Sequence, residues 1–374
     1  MLANPVAEAA RRRIARLCHS GLDAPALLRE LAAAVRPVVG YDGAVWATTD
    51  AATLLITGAH VEELPRESAP AFYENEYLYD DVNKFSRLAR GPRPVGTMSE
   101  ATGGVLSRSR LHRELAPVFG FRGDALRAAF VAGGSCWGAA ALVRRDPTAH
   151  FTQPDVSFVA SICVRVAEGL RAAILLGALA APAPWSPASV DPPGLVILDG
   201  DRVRAASASA EGWLEELAGD FGNRPGDRLH SALLAVAAAA GRMGDDDEPA
   251  SSARAVLRTR AGRWLGLHGV RLETGSGEPE LAVVMEAARP PQLAAVVMSA
   301  YGLTARERDV AQQVISGAST AEASAALHIS PYTLQDHLKS IFDKVGVRSR
   351  AELTKEVFDR HYAAAAPLGG PPRR

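Results

Sequence analysis

No stretch of this sequence constrains the fold as tightly as Leu303–Leu353, where hydroxyl residues open helical patterns and turn residues close them. Thr304 with Glu307, Ser319 with Glu322 and Ser349 with Glu352 have the spacing of capping boxes. In each, the Ser or Thr side chain accepts from the third helical N–H and the Glu there reaches back. Ser330-Pro331 adds a fourth start, with proline at the first helical position, where its missing N–H is harmless. Ile315-Ser316-Gly317 and Val345-Gly346 supply stops. Four short helices joined by tight turns predict a helix-turn-helix module.

Within Ser330–Val345, Leu334, Leu338, Ile341 and Val345 form an apolar stripe that seats the helix on its neighbours. The opposite side presents Tyr332, Gln335, Asp336 and Lys339. Gln matches the N6/N7 edge of adenine, Asp the N4 amino group of cytosine, and Lys guanine or a phosphate. Ser319, Thr320, Ser330, Thr333 and Arg350 lie near helix starts, where hydroxyls, N–H groups and guanidinium meet phosphate. Two of these residues have other readings open: Asp336 as a cap or phosphate-repelling group, and Tyr332 packed on the preceding turn. His337 reads as a partly buried structural histidine.

In register, Leu303-Thr304, Arg306-Glu307, Gly317, Ser319, Glu322, Ile329-Ser330, Thr333, His337, Lys344, Gly346-Val347 and Arg350 match the LuxR-type transcription regulators. This stretch therefore resembles that family over about 60 residues. The resemblance implies an all-α four-helix DNA-binding domain over residues 296–362, with double-stranded DNA as partner. There are departures: on the groove-facing side, Gln335 and Asp336 stand at a usually basic and a variable position. Ala323-Ser324 replaces Ile-Ala, and Leu334 replaces Val. From Val296 to His361 the segment carries eight Lys/Arg and eight Asp/Glu. Affinity for DNA grows with the number of phosphates neutralised, so a neutral module predicts weak binding by one copy. Specific binding is expected of a homodimer on two half-sites.

Upstream, Ala24–Val39 is helical, Gly43–Ala47 and Leu54–Thr57 are strand-like, and an aromatic-bearing region runs to about Ala116. Ala125–Val131 and Cys136–Val143 flank Gly133-Gly134, a hairpin signal. Thr152 with Asp155 opens a long helix in which Val159, Cys163, Val166, Leu170 and Ala173 recur at the interval of a packing seam. This order resembles a GAF domain over residues 1–181, chiefly through Trp137–Arg145 followed by Phe151–Asp155. After the proline-rich break Ala181–Pro187, Gly194–Asp199 and Arg202–Ala206 flank a Gly200-Asp201 turn. Helices at Ser209–Leu217 and Leu229–Ala239, an acidic loop at Asp245–Glu248, and strands at Ala255–Thr259, Trp264–Val270 and Leu281–Glu286 follow. Two strands, helices, then three strands make residues 188–289 similar to a PAS domain.

The expected fold is therefore multidomain α+β: a GAF-like α/β/α sensor, a PAS-like antiparallel sheet with helices, and the all-α module, with residues 363–374 as a flexible tail. Both upstream folds cup small molecules or fill the space with a dry core, so the sequence assigns no cofactor and leaves any ligand unidentified. Asn83-Lys84-Phe85 matches the start of a cyclic-nucleotide-binding GAF signature, but Ser86-Arg87 does not continue it. Trp213 and Trp264 read as core residues, and Asp245–Glu248 as a solvated loop lacking calcium-site spacing. His60, His112 and Cys136 are isolated, which argues against haem ligation.

The chain contains no Gly-Lys dipeptide, hence no phosphate-binding Walker loop, and no Gly-x-Ser-x-Gly in a strand–turn–helix setting. An enzyme is not expected. The net charge of −1 excludes a global basic field, and Cys18, Cys136 and Cys163 are scattered as in a reduced compartment. Arg11-Arg12-Arg13 is followed by no apolar run, and Ala172–Trp185 is interrupted by Pro182 and Pro184, short of a membrane span. The expectation is a cytoplasmic, dimeric transcription regulator working with the transcription machinery and not with a membrane. The alternative is a signalling scaffold whose C-terminal helices bind protein.

Overall fold

The computed structural model describes residues 4–179, 192–199, 202–217, 230–242, 253–273, 280–288, 292, 296, 298–299 and 301–362. The Gly200-Asp201 turn, the Asp245–Glu248 run and the 363–374 tail lie outside them. Among the described residues, two antiparallel five-stranded sheets, each with helices packed on it, precede a C-terminal group of helices.

The chain begins with helix α1 (Pro5–Leu17), which the sequence reading missed although Asn4-Pro5 is a strong start. The Asn4 side chain accepts from Val6 and Ala7 N–H, and Pro5 takes the first helical position. Helix α2 (Ala24–Val39) is capped by Asp23, which accepts from Ala26 N–H at 2.8 Å. Then come β1 (Gly43–Thr49), β2 (Ile56–Glu62), α3 (Ala69–Tyr77), α4 (Phe85–Arg90), β3 (Val95–Thr97) and the one-turn helices α5 (Met98–Ala101) and α6 (Ala116–Phe119). Strands β4 (Ala125–Ala132) and β5 (Ser135–Val143) and the long α7 (Gln153–Leu179) complete this part, with sheet order β2-β1-β5-β4-β3.

The second strand begins at Ile56, not Leu54 as the apolar run suggested. The Asp50 carboxylate accepts from Ala52 and Thr53 N–H, and Leu54 sits at φ +64° inside that turn. Central strands β1 and β5 are buried on both faces. Ala44, Trp46, Ala140 and Leu142 face α1, α2 and α7, while Val45, Ala47, Ala139 and Ala141 face the opposite core. The seam residues Val159, Cys163, Val166, Leu170 and Ala173 are all buried in this chain's own core, alongside Leu126, Ala128 and Phe130 of β4. Thr152 and Asp155 form the expected reciprocal cap.

The second sheet repeats the plan. Strands β6 (Gly194–Asp199) and β7 (Arg202–Ala206), helices α8 (Ala208–Leu217) and α9 (Ser231–Gly241), then β8 (Arg254–Arg258), β9 (Trp264–Leu272) and β10 (Glu280–Ala287) give the order β7-β6-β10-β9-β8. Helix α9 has no polar face, and every residue from Ser231 to Ala240 is buried. Such a helix must be covered all round. One side packs on β9 and β10, the other on β2 and α3 of the first sheet. Its run of alanines keeps it thin, and at Gly269 of β9 a Cβ would strike the Val236 carbonyl and the Ala240 Cβ. Val45, Ala47, Ile56 and Tyr73 thereby share one hydrophobic cluster with Leu233, Val236, Leu267 and Met285.

At the C-terminal end, α10 (Ala305–Ile315), α11 (Thr320–Ala326), α12 (Pro331–Val345) and α13 (Arg350–Tyr362) form a separate core around Leu303, Val310, Val314, Leu334, Leu338, Ile341 and Leu353. The boxes at Thr304/Glu307 and Ser319/Glu322 are complete. At the third, Ser349 accepts from Glu352 N–H, but the Glu352 carboxylate takes the Arg348 N–H at 2.7 Å, one residue earlier than a capping box requires. Glu307 does more than cap. It accepts from Thr304 N–H (2.6 Å), Ser340 Oγ (2.6 Å) and Lys344 Nζ (2.6 and 2.8 Å), tying α10 to α12. Burial raises its pKa, but Lys344, Ser340 and Thr304 outweigh that and hold it down to about 2. No helix among the described residues is long and apolar enough to cross a membrane.

Two outcomes are expected. Leu233→Ala, at a fully buried α9 position, costs about 2–4 kcal/mol. Calorimetry should show both sheets melting together at the lower temperature; a shift confined to the second sheet would contradict the shared core. Glu307 has a depressed pKa, so its contribution is complete above its ordinary value near 4.5 and disappears as pH falls toward 2. Glu307→Gln should therefore lower the melting temperature of the C-terminal helices at pH 7, and the gap to the parent should close across that acidic window.

Candidate nucleic-acid interface

Helix α12 presents the predicted side chains on the face turned away from its core. Leu334, Leu338 and Ile341 are buried, whereas Gln335, Asp336 and Lys339 are exposed and Tyr332 is 77% exposed. Tyr332 thus does not pack on the preceding turn. Among the described residues none of these four side chains makes a hydrogen bond or ion pair, so all are available to a partner. His337 is half-buried beside the stripe.

The other predicted residues are already engaged. Ser330 Oγ accepts from Thr333 N–H at 3.0 Å and lies 2.8 Å from Thr333 Oγ1, and Ser319 Oγ accepts from Glu322 N–H at 3.3 Å. All three hydroxyls remain at the surface. Arg350 donates to Thr320 Oγ1 at 3.0 Å and to the Ala318 carbonyl at 3.4 Å, joining α13 to the start of α11. The turn between α11 and α12 is made by His328 at φ +52°, with Leu327 accepting from Arg306. No glycine marks this turn, so the sequence pattern hides it.

Charge is scarcer on this surface than composition implies. Lys344 is ion-paired to Glu307, Arg306 and Arg350 are held by backbone carbonyls, and Arg308 is taken up elsewhere. Lys339 and Arg348 are exposed, and among the described residues their side chains bind nothing. Arg348 was overlooked in the sequence, although it directly precedes the cap residue Ser349 of α13.

Arg308 reaches outside the helical group. Its Nη1 donates to Ser135 Oγ (2.7 Å), at the start of β5 just after the tight β4–β5 turn, and to the Leu303 carbonyl (3.3 Å), with Ser299 Oγ at 3.5 Å. Gly133 of that turn abuts Gly302, and a Cβ on Gly302 would collide with Arg171 of α7. The helices are thereby docked against the β4–β5 turn and α7, with the exposed face of α12 left open among the described residues.

The upstream residues singled out by sequence have structural partners. Lys84 is buried, donating to the Asn75 and Glu76 carbonyls, and burial lowers its pKa to about 8. Glu76 accepts from Phe85 N–H and from Arg127, which lies 4.0 Å over the Phe85 ring. Asn83 donates to the Thr97 carbonyl at 2.8 Å. Beside this cluster is an apolar cavity of about 80 Å³ lined by Val45, Phe72, Met98, Phe121 and Arg127. Trp213 is buried with Arg263 stacked at 3.9 Å, whereas Trp264, read as core, is only half-buried because it stands at the edge of a cleft. Among the described residues no group of three or more His, Cys, Asp or Glu is placed to hold a metal.

The family described as bacterial regulatory proteins, luxR family, matches residues 302–357. The transcriptional regulatory protein UhpA of Escherichia coli (strain K12) is 39% identical over 57 residues, covering 15% of this chain and 29% of that protein. UhpA of Salmonella typhimurium is 33% identical over 81 residues, 22% of this chain and 36% of that protein. The chain thus spans about a third of the length of the curated relatives it matches. Among solved structures, VqmA in a Vibrio cholerae VqmA–ligand–DNA complex is similar at 17% identity over 47% of this chain and 85% of that chain, with a TM-score of 0.22. At that score the superposition carries no argument. The agreement of sequence with the capped helices does: residues 302–357 of this chain are a LuxR-type helix-turn-helix domain of the bacterial regulatory proteins.

Proposed function

We propose that this chain is a sequence-specific DNA-binding transcription regulator whose upstream domains sense a ligand or partner and control the C-terminal domain. The observation that carries this reading is the open, unpaired face of α12 within the LuxR-type domain. Gln335 and Asp336 would read base edges, Lys339 and Arg348 would meet phosphate or guanine, and the Ser319, Thr320, Ser330 and Thr333 helix starts would face the backbone. Arg350 would act by holding Thr320 in place. With two free cations among the described residues of the domain, tight binding calls for a homodimer on two half-sites. The pattern of two strands, helices and three strands, present twice in the same order, supports a GAF-like first domain and a PAS-like second. The Arg308–Ser135 contact supplies a route by which the first domain holds the DNA-binding domain in a set orientation.

Selection from a random DNA pool by the full chain at low salt tests the reading. One enriched motif, arranged as two half-sites, is expected; no enrichment would overturn it and leave a protein-binding role for the helices. On the enriched site, Lys339→Ala should weaken binding to all sequences alike, and Gln335→Ala should change preference at one base pair by about 1–3 kcal/mol. Uniform loss for both would sink the groove assignment. Arg308→Ala should raise amide exchange around Ser135 and alter DNA affinity in the full chain. The same change in the isolated 296–374 fragment should leave affinity unchanged, because the contact to Ser135 is missing there.

A further inference from the structure

Strand β8 alternates strictly: Ala255 and Leu257 are buried toward α9, so Arg254, Val256 and Arg258 point the other way. That outer side forms one wall of a cleft of about 760 Å³ between the two sheets. Opposite stand the Thr48–Thr53 turn and the end of α7 at Ala173, Ile174 and Gly177. Gln292, Val296 and Ser299, just ahead of the LuxR-type domain, supply a third wall. This volume lies within the roughly 300–1,000 Å³ usual for small-molecule sites, which favour domain interfaces. The 80 Å³ cavity inside the first domain is far below it.

The cleft is electropositive. Arg254, Arg258 and Arg260 line it against Asp23 and Asp50, and both carboxylates are committed to backbone N–H groups. Asp23 caps α2, and Asp50 takes Ala52, Thr53 and the outward N–H of Val256 at 3.1 Å. Arg260 is tethered to the Glu215 carbonyl, and Arg258 uses Nε on the Gly262 carbonyl. Among the described residues, the Arg258 Nη groups and the whole Arg254 guanidinium have no partner. Trp264, Ile174 and Val296 add apolar surface to the same lining.

We propose that this cleft binds a small organic anion with an apolar body, its head held by Arg254 and Arg258 and its body lying against Trp264, Ile174 and Val296. The inference rests on the reading of the upstream domains as sensors and places the site between them. Occupancy reaches the DNA-binding domain directly, because Ser299 lines the cleft and its Oγ lies 3.5 Å from Arg308 Nη1, beside the Ser135 contact.

Titration of the full chain with anilinonaphthalene sulfonate, with decanoate as competitor and decylamine as a cationic control, tests the site. One saturable site per chain is expected, displaced by decanoate and not by decylamine. Arg254→Ala, at an exposed position, and Ala52→Trp, which fills the rim from an exposed turn, should each weaken binding at least tenfold with circular dichroism unchanged. No saturable site, equal displacement by decylamine, or parental affinity in both variants would overturn the proposal. DNA binding is measured on the same samples. If it persists while the probe fails, this inference falls alone; if it is missing, the regulator reading falls.

Discussion

A helix with no polar side, placed between two sheets, is the constraint on which the upstream architecture depends. Every side chain of α9 from Ser231 to Ala240 is buried, and neither sheet could bury it alone. Its alanines allow close approach, and Gly269 removes the one Cβ that would hold the second sheet off. The two sheets therefore have a common core, with an open cleft left at one margin beside β8. A displacement of either sheet is therefore transmitted to the other through α9.

The DNA-binding domain has its own small core and, among the described residues, few groups attach it to the rest of the chain. Within it, one carboxylate organises the packing: Glu307 caps α10, receives Lys344 and Ser340 from α12, and so fixes the angle at which the exposed face is offered. Outside it, Arg308, Gly302 and Arg171 make the junction with the β4–β5 turn. Among the described residues the exposed face of α12 is not covered by this junction, which is why the proposed control acts through orientation and not through masking.

Much of this was legible in the residues, for physical reasons that differ by region. Caps are local, so Thr304, Ser319, Ser330 and the stops at Gly317 and Gly346 placed the C-terminal helices almost to the residue. The Gly133-Gly134 turn and the strands on either side were equally clear. What stayed hidden was non-local. The apolar run in α9 was visible as a helix, but an all-round apolar pattern also signals burial on two sides, and that signal was there to be used. The β1–β2 turn is displaced by a local device instead: the Asp50 carboxylate accepts from Ala52 and Thr53 N–H, and its backbone carbonyl from Leu54 N–H. The left-handed residue His328 carries no glycine, and the partners of Arg308 and Lys344 are 173 and 37 residues away. Counting charges gave a neutral domain; only the contacts reveal that most of its cations are occupied.

That occupancy gives the account its sharpest quantitative content. With Lys339 and Arg348 as the free cations among the described residues, the proposed dimer would neutralise about four phosphates, and the logarithm of the binding constant should fall with the logarithm of salt at a slope of about −4. The decisive measurement is that slope for the full chain on its selected duplex between 50 and 200 mM salt, as order-of-magnitude limits of the useful range. A slope near −4 supports a grip made by dimerisation and base contacts. A slope of about −8 or steeper would mean that Arg306, Arg308, Lys344 and Arg350 leave their partners to meet the backbone, and would contradict it.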